Sequence, residues 1–165
     1  MNALGIDPGV HGGWALNMDG KLLVWKMPQT DDDLVSLMED ILISYGIDFC
    51  VCEEVGARPL YMTDPVGQSF QVQGVTSTWT FAQSYGTLRG VLAALKIKRQ
   101  FIWPKAWQKL LGIPGRRKDP KESQTEWKNR LRAKAQELFP GVKIILDVAD
   151  AALLSEVARR IYLRQ

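Results

Sequence analysis

Four acidic residues in this chain stand where apolar runs begin or end, the places where side chains can converge. Asp7 closes the run Ala3-Leu4-Gly5-Ile6 and is followed by the turn signal Pro8-Gly9. Glu53, with Glu54 behind it, closes the near-continuous apolar run Asp48–Cys52. Asp147 and Asp150 open the last helical pattern three residues apart, which puts both on one helix face, about one turn apart. Carboxylates brought together repel one another, and a divalent cation is the usual neutraliser. All-oxygen ligands of this kind suit Mg²⁺ or Mn²⁺. Two such ions roughly 4 Å apart can activate a water and stabilise the leaving oxygen of a phosphodiester.

Each acid also has an ordinary reading: Asp7 as a turn former, Asp147 as a helix cap, Glu54 or Glu53 as a solvated strand end. Asp150 tips the balance. It lies inside Val148-Ala149-Asp150-Ala151-Ala152-Leu153-Leu154, facing an expected core, where an unpaired carboxylate would be costly.

The charge distribution supplies a partner for this chemistry. The net charge is only +3, yet residues 1–95 hold 4 Lys/Arg against 11 Asp/Glu, and residues 96–165 hold 17 against 7. Between Lys98 and Lys134 there are 12 basic residues and 3 acidic ones, which suggests a surface for a polyanion beside the carboxylates. Lys105, Lys109, Arg116, Arg117, Lys118 and Lys121 are the candidate phosphate contacts, which set position and salt dependence. Trp103, Trp107 and Trp127 interleave with them, either as core or as stacking platforms for unpaired bases. His11, the single histidine, sits beside Gly12-Gly13 and reads as part of a turn. No Ser/His/Asp or Cys/His set can be assembled, so covalent catalysis is not expected.

The elements that must position these residues follow from local pattern. Ala3–Ile6, Gly13–Met18 and Lys21–Met27 read as three strands, the last two joined by the hairpin signal Asp19-Gly20. A helix starts at Asp31-Asp32-Asp33, buries Leu34, Leu37, Met38, Ile41 and Leu42, and stops at Gly46. Residues 48–53 read as a strand buried on both faces, with Cys50 and Cys52 as small buried thiols. Val55–Val75 reads as a long loop, followed by a helix over Ser77–Leu95, a strand over Lys98–Trp103 and a helix over Lys105–Leu111. A basic loop over 112–121 leads to a polar helix over Glu122–Phe139, a short apolar stretch over Val142–Leu146, and a last helix from Asp147 to Leu163. This order predicts an α/β fold in one domain over residues 1–165, with a mixed five-stranded sheet flanked by helices, three strands antiparallel and then two parallel.

Taken together, Leu4-Gly5-Ile6-Asp7-Pro8-Gly9, Cys52-Glu53-Glu54-Val55 and Asp147-Val148-Ala149-Asp150-Ala151 resemble the three acidic motifs of the RuvC family of Holliday junction resolvases, within the RNase H-like superfamily. Gln73-Gly74-Val75-Thr76-Ser77 and Glu137-Leu138-Phe139-Pro140 look more like phage and organelle-type members. The resemblance implies an RNase H-like fold, a homodimer, and paired nicks across four-way DNA junctions with Mg²⁺ or Mn²⁺, two ions per site. It assigns metal binding and catalysis to Asp7, Glu53, Asp147 and Asp150, choosing Glu53 over Glu54. By their place in the long loop beside Glu53, rather than by the resemblance, Arg58, Tyr61 and Gln71 are candidates to enter the junction centre.

At 165 residues, 46% apolar and 24% charged, the chain needs neither disulfide nor structural metal to fold. It carries no membrane-length apolar run and no basic-then-apolar leader, so the expected setting is cytoplasmic, a host's cytoplasm if the chain is phage-encoded. Alternatives to the resolvase are a nuclease for other branched, flap or RNA-containing duplexes, and a junction-binding protein without catalysis.

Overall fold

The computed structural model describes residues 1–56, 61–71, 74–117 and 121–165. Strands β1 (Asn2–Asp7), β2 (Gly13–Met18) and β3 (Lys21–Lys26) lead to helix α1 (Asp31–Ser44) and strand β4 (Phe49–Glu53). A short hairpin of β5 (Tyr61–Thr63) and β6 (Ser69–Gln71) precedes helix α2 (Val75–Ala94) and strand β7 (Arg99–Ile102). Helices α3 (Pro104–Leu110), α4 (Gln124–Leu138) and α5 (Leu146–Tyr162) complete the chain. The main sheet runs β3-β2-β1-β4-β7, antiparallel across its first three strands and parallel across β1, β4 and β7. That is the predicted mixed sheet.

The strand pleat sorts the side chains into two cores. Along β4, Phe49 and Val51 face a cluster shared with α3, α4 and α5, whereas Cys50 and Cys52 face one shared with α1 and α2. Along β1, Ala3 takes the first side and Leu4 and Ile6 the second. Continuing the alternation, Asp7 and Glu53 fall on the α5 face at the ends of adjacent parallel strands, and Glu54 falls on the other. The two thiols are free and buried, as expected. The hairpin signal also holds: Asp19 (φ 50°) and Gly20 (φ 97°) are both left-handed, as a two-residue turn between twisted strands requires.

Helix α5 lies directly on β1, and Gly5 makes the approach possible. A Cβ at Gly5 would fall among backbone atoms of Ala151, Leu154 and Ser155, which no rotamer change can relieve. Gly5→Ala should therefore destabilise the protein by ~3 kcal/mol or more, measured as a lowered urea midpoint, whereas Gly115→Ala, with open space around it, should change little.

Three departures from the sequence reading have local causes. The segment read as one long loop contains the β5–β6 hairpin. Its turn is built by Asp64, whose Oδ1 accepts from the N–H groups of Val66 (3.0 Å) and Gln68 (2.8 Å), with Gly67 at φ 87°. Helix α4 starts at Gln124 because Ser123 and Glu126 form a reciprocal capping box. Helix α5 starts at Leu146, so Asp147 lies within its first turn and does not cap it.

Candidate active site

The ends of β1 and β4 and the first turns of α5 bring Asp7, Glu53 and Asp150 into one electrostatic neighbourhood. Burial and the Asp7 charge, with a further push from Asp150, raise the Glu53 carboxyl to about 7. Burial and Asp7 likewise raise Asp150 to about 6. Asp7 is also raised by burial, against the opposing pull of the Gly9 N–H, which donates to its Oδ1 at 3.1 Å. The turn after Asp7 is tight: Gly12 donates its N–H to the Gly9 carbonyl at 2.7 Å, and a Cβ on Gly12 would collide with the Asp7 backbone. His11 is exposed in this turn.

Asp147 stands apart from the other three. Its backbone crosses close to Gly13, the β2 partner of Asp7, but its carboxylate pairs with Lys26 of β3 at 3.3 Å. Glu54 is also accounted for separately. Its Oε1 accepts from the Tyr85 hydroxyl (3.2 Å) and from Arg89 Nη1 (3.3 Å), and Arg89 lies over the Phe101 ring at 4.2 Å. This cluster ties the exit of β4 to α2 and leaves Glu53 as the carboxylate on the α5 face.

Two contacts escaped the sequence reading. Trp107, treated there as core or as a stacking ring, is fully buried and donates its indole N–H to Glu53 Oε2 at 2.8 Å. Lys128 on α4 contributes a positive field that lowers Asp7, Glu53 and Asp150 alike. No local pattern signals either, since both depend on how α3 and α4 cross the sheet end.

The carboxylates suit a hard divalent cation by donor chemistry, being oxygen ligands whose repulsion a cation would relieve. Among the described residues, no group of three or more His, Cys, Asp or Glu is drawn together tightly enough to hold an ion as it stands.

Beside the acids lies the basic surface. Lys105 and Lys109 are exposed on α3, along a groove of about 580 Å³ that continues past Gly112 and Ile113. Arg116, Arg117 and Lys121 are exposed on the following loop. Arg58 and Lys118 lie outside the described residues, as do the side chains of Tyr61 and Gln71. Among the three tryptophans, Trp103 is 56% exposed with its ring over Gly56 at the rim, while Trp127 is half-buried beneath Arg130.

The basic loop is latched from within. Glu122, buried, takes two hydrogen bonds from Arg130 (3.0 and 2.9 Å) and one from the Arg117 N–H (2.9 Å). Arg130 also donates to the carbonyls of Pro114 and Gly115, both at 3.1 Å. These bonds, led by Arg130, pull the Glu122 carboxyl down to about 2, so it is ionised at every physiological pH. Glu122→Gln should free the loop, raising the rate of tryptic cleavage after Arg116 and Arg117 roughly tenfold in a time course under native conditions.

The sequence matches no protein-family model and no curated protein. Solved structures do match. Thermus thermophilus RuvC superposes with a TM-score of 0.63 at 16% identity, covering 99% of this chain and 96% of that one. The chain has the RuvC fold. T. thermophilus RuvC in complex with a Holliday junction substrate gives 0.62 at 12% identity, covering 99% and 95%. The yeast mitochondrial Holliday junction resolvase Ydc2 gives 0.49 at 15% identity, covering 95% and 77%. Among the described residues, no helix of this RuvC-like chain is long and apolar enough to cross a membrane.

Proposed function

We propose that this protein is a metal-dependent endonuclease that resolves four-way DNA junctions by paired phosphodiester hydrolysis. The observation that carries the reading is the electrostatic field shared by Asp7 and Glu53 at the strand ends and Asp150 on α5, each raised above its ordinary carboxylate range, next to helix α3 with its exposed lysines. The likeness to a RuvC solved with a junction substrate supports the choice of DNA form.

Asp7, Glu53 and Asp150 would hold the ions, Mg²⁺ or Mn²⁺, and Asp147 would join them by exchanging Lys26 for metal. When bound, two such ions supply a nucleophile at neutral pH and stabilise the leaving oxygen of an in-line displacement. Lys105, Lys109, Arg116, Arg117 and Lys121 would bind the flanking phosphates, with Arg58 and Lys118 as further contacts carried over from sequence. Trp103 offers an open ring at the rim for an unpaired base.

Paired nicks need two sites related by a twofold axis, and helix α2 offers a surface for a second copy. Trp79, Ala82, Gly86, Gly90 and Ala93 are exposed along one helical stripe. The two glycines face open space, although each costs about 1 kcal/mol relative to alanine in a helix interior. Close packing against another helix gives that cost a purpose.

The test is cleavage of a labelled four-way junction beside linear duplex, flap and RNA–DNA controls, with Mg²⁺ and with EDTA, together with sedimentation of the protein at micromolar concentration. Paired, EDTA-sensitive nicks confined to the junction and made by a dimer are expected. Equal cutting of every branched or hybrid substrate by a monomer would replace the junction reading with a broader nuclease. Tight junction binding without cutting would leave an architectural role.

A further inference from the structure

Trp107 joins two properties that make it more than a core residue. Its ring is fully buried in the cluster shared by α3, α4, α5 and the sheet. Its one polar atom, the indole nitrogen, donates to Glu53 Oε2 at 2.8 Å. A buried indole N–H requires an acceptor, and most buried tryptophans find one in a backbone carbonyl or a neutral side chain. Here the acceptor is a carboxylate that burial and two neighbouring acids are pushing towards its neutral form. Among the described residues the Glu53 carboxylate has no other recorded hydrogen bond.

The chain arrives at this contact by a short route. Ile102 of β7 pairs in register with Glu53 of β4. Pro104 then starts α3 in its first helical position, and three residues later the indole is carried back over the end of β4. Lys105 and Lys109, on the same seven-residue helix, are exposed. One short helix therefore grips Glu53 from inside and presents cations outside.

We propose that Trp107 is a positioning residue for the nuclease reaction: its N–H fixes one oxygen of Glu53 against the core and leaves the other for the cleft shared with Asp7 and Asp150. A glutamate has three rotatable bonds, and a single directed hydrogen bond to a rigid, fully packed donor selects one of its rotamers. Hydrogen bonds to ligating carboxylates commonly have this effect, and their loss typically lowers metal affinity or activity by about 10–100-fold. The inference rests on the nuclease reading for its consequence, though not for the contact itself.

The test replaces the N–H and keeps the ring. Incorporation of 3-benzothienylalanine at position 107 puts sulfur where the indole nitrogen was, preserving shape and apolar burial. Trp107→Phe serves as a second variant if that protein is poorly produced. The expected result is a fall of about tenfold in kcat on junction DNA, with junction affinity within twofold of wild type and a higher Mg²⁺ concentration at half-maximal rate. A second readout needs no cleavage. The indole ¹H–¹⁵N resonance lost in either variant identifies Trp107. In the wild type that proton should exchange far more slowly than the one on exposed Trp103, and Glu53→Gln should move its resonance more than Asp147→Asn does.

Unchanged kcat and Mg²⁺ dependence in the benzothienyl protein would overturn the positioning role. An indole proton that ignores Glu53→Gln would overturn the contact. If the wild type cuts no branched DNA while the resonance behaves as expected, the nuclease reading and the positioning role fall together, and the indole–carboxylate bond stands.

Discussion

Asp7→Asn and Asp150→Asn should each lower junction cleavage by at least ~10³-fold while leaving junction binding within about threefold of wild type. Both substitutions keep the side-chain shape and remove only the charge. Asp7 occupies the end of the central strand and raises both Glu53 and Asp150, so its charge is felt by the whole cluster. Losing several kcal/mol of metal-dependent transition-state stabilisation corresponds to a rate loss of this size. Binding should survive, because the basic residues of α3 and the following loop carry it, and removing a negative charge beside a phosphate does not oppose it. Asp147→Asn should cost less, on the order of tenfold, since Asp147 is partly exposed and already paired with Lys26 at 3.3 Å. Single-turnover rates with saturating protein, beside anisotropy titrations in Ca²⁺, separate the two effects. Full activity in Asp7→Asn would remove the metal-site assignment. A loss in Asp147→Asn as deep as the others would mean that Lys26 releases it completely when the site forms.

The elements that carry the four acids were legible, Asp7 and Glu53 at strand ends and Asp147 and Asp150 in the opening turns of the last helix, because local pattern defines each of those elements. Strand β4 is a five-residue run whose alternation continues into Glu53, and the same alternation explains why Glu54 belongs to the Tyr85–Arg89 cluster. The hairpin at Asp19-Gly20 and the last helix were legible for the same reason: their signals lie within a few residues of one another. The β5–β6 hairpin escaped because strands of three residues are too short to display a period.

Contacts between distant segments were not legible at all. Trp107 and Glu53 are separated by 54 positions, and Lys26 and Asp147 by more than twice that. Their meeting depends on where α3 leaves β7 and how α5 lies across β1. The second of these is set by the missing Cβ of Gly5, whose need for space appears only once the helix is in place. The sequence pattern thus located the acids, while the packing decided that three share one field and the fourth answers to a lysine.

That shared field has a consequence for stability. The metal-free protein should become more stable as the pH falls from 8 to about 5.5, contrary to the usual behaviour of paired carboxylates. Glu53 and Asp150 hold protons up to about 7 and about 6 in the folded state, against ordinary values of 4.5 and 3.8, and Asp7 is raised as well. A group with a raised folded value contributes stability that is fully present below its unfolded value and is lost as the pH rises through the folded one. The loss should therefore fall between about pH 4 and 7. Each tenfold difference in proton affinity is about 1.4 kcal/mol, so the coupled cluster should contribute ~1–3 kcal/mol over that window. The opposing groups are Glu122, held down to about 2 by Arg130, and Glu126 and Glu156, which are also lowered; their contribution is lost only as the pH falls through the ordinary value of 4.5, below the range from pH 8 to 5.5. For a chain of this length the gain corresponds to a rise in Tm of roughly 5 °C between pH 8 and pH 5.5. Mg²⁺ at pH 8 should recover much of it, because a bound cation offsets the same repulsion that protons relieve. Glu53→Gln should flatten the pH slope and raise the metal-free Tm at pH 8, while reducing cleavage. Calorimetric melts across this range, with EDTA and with Mg²⁺, measure all three effects. A Tm that falls steadily from pH 8 to 5.5, with no response to Mg²⁺, would mean that the carboxylates do not share a field, and the proposed catalytic centre would lose its physical basis.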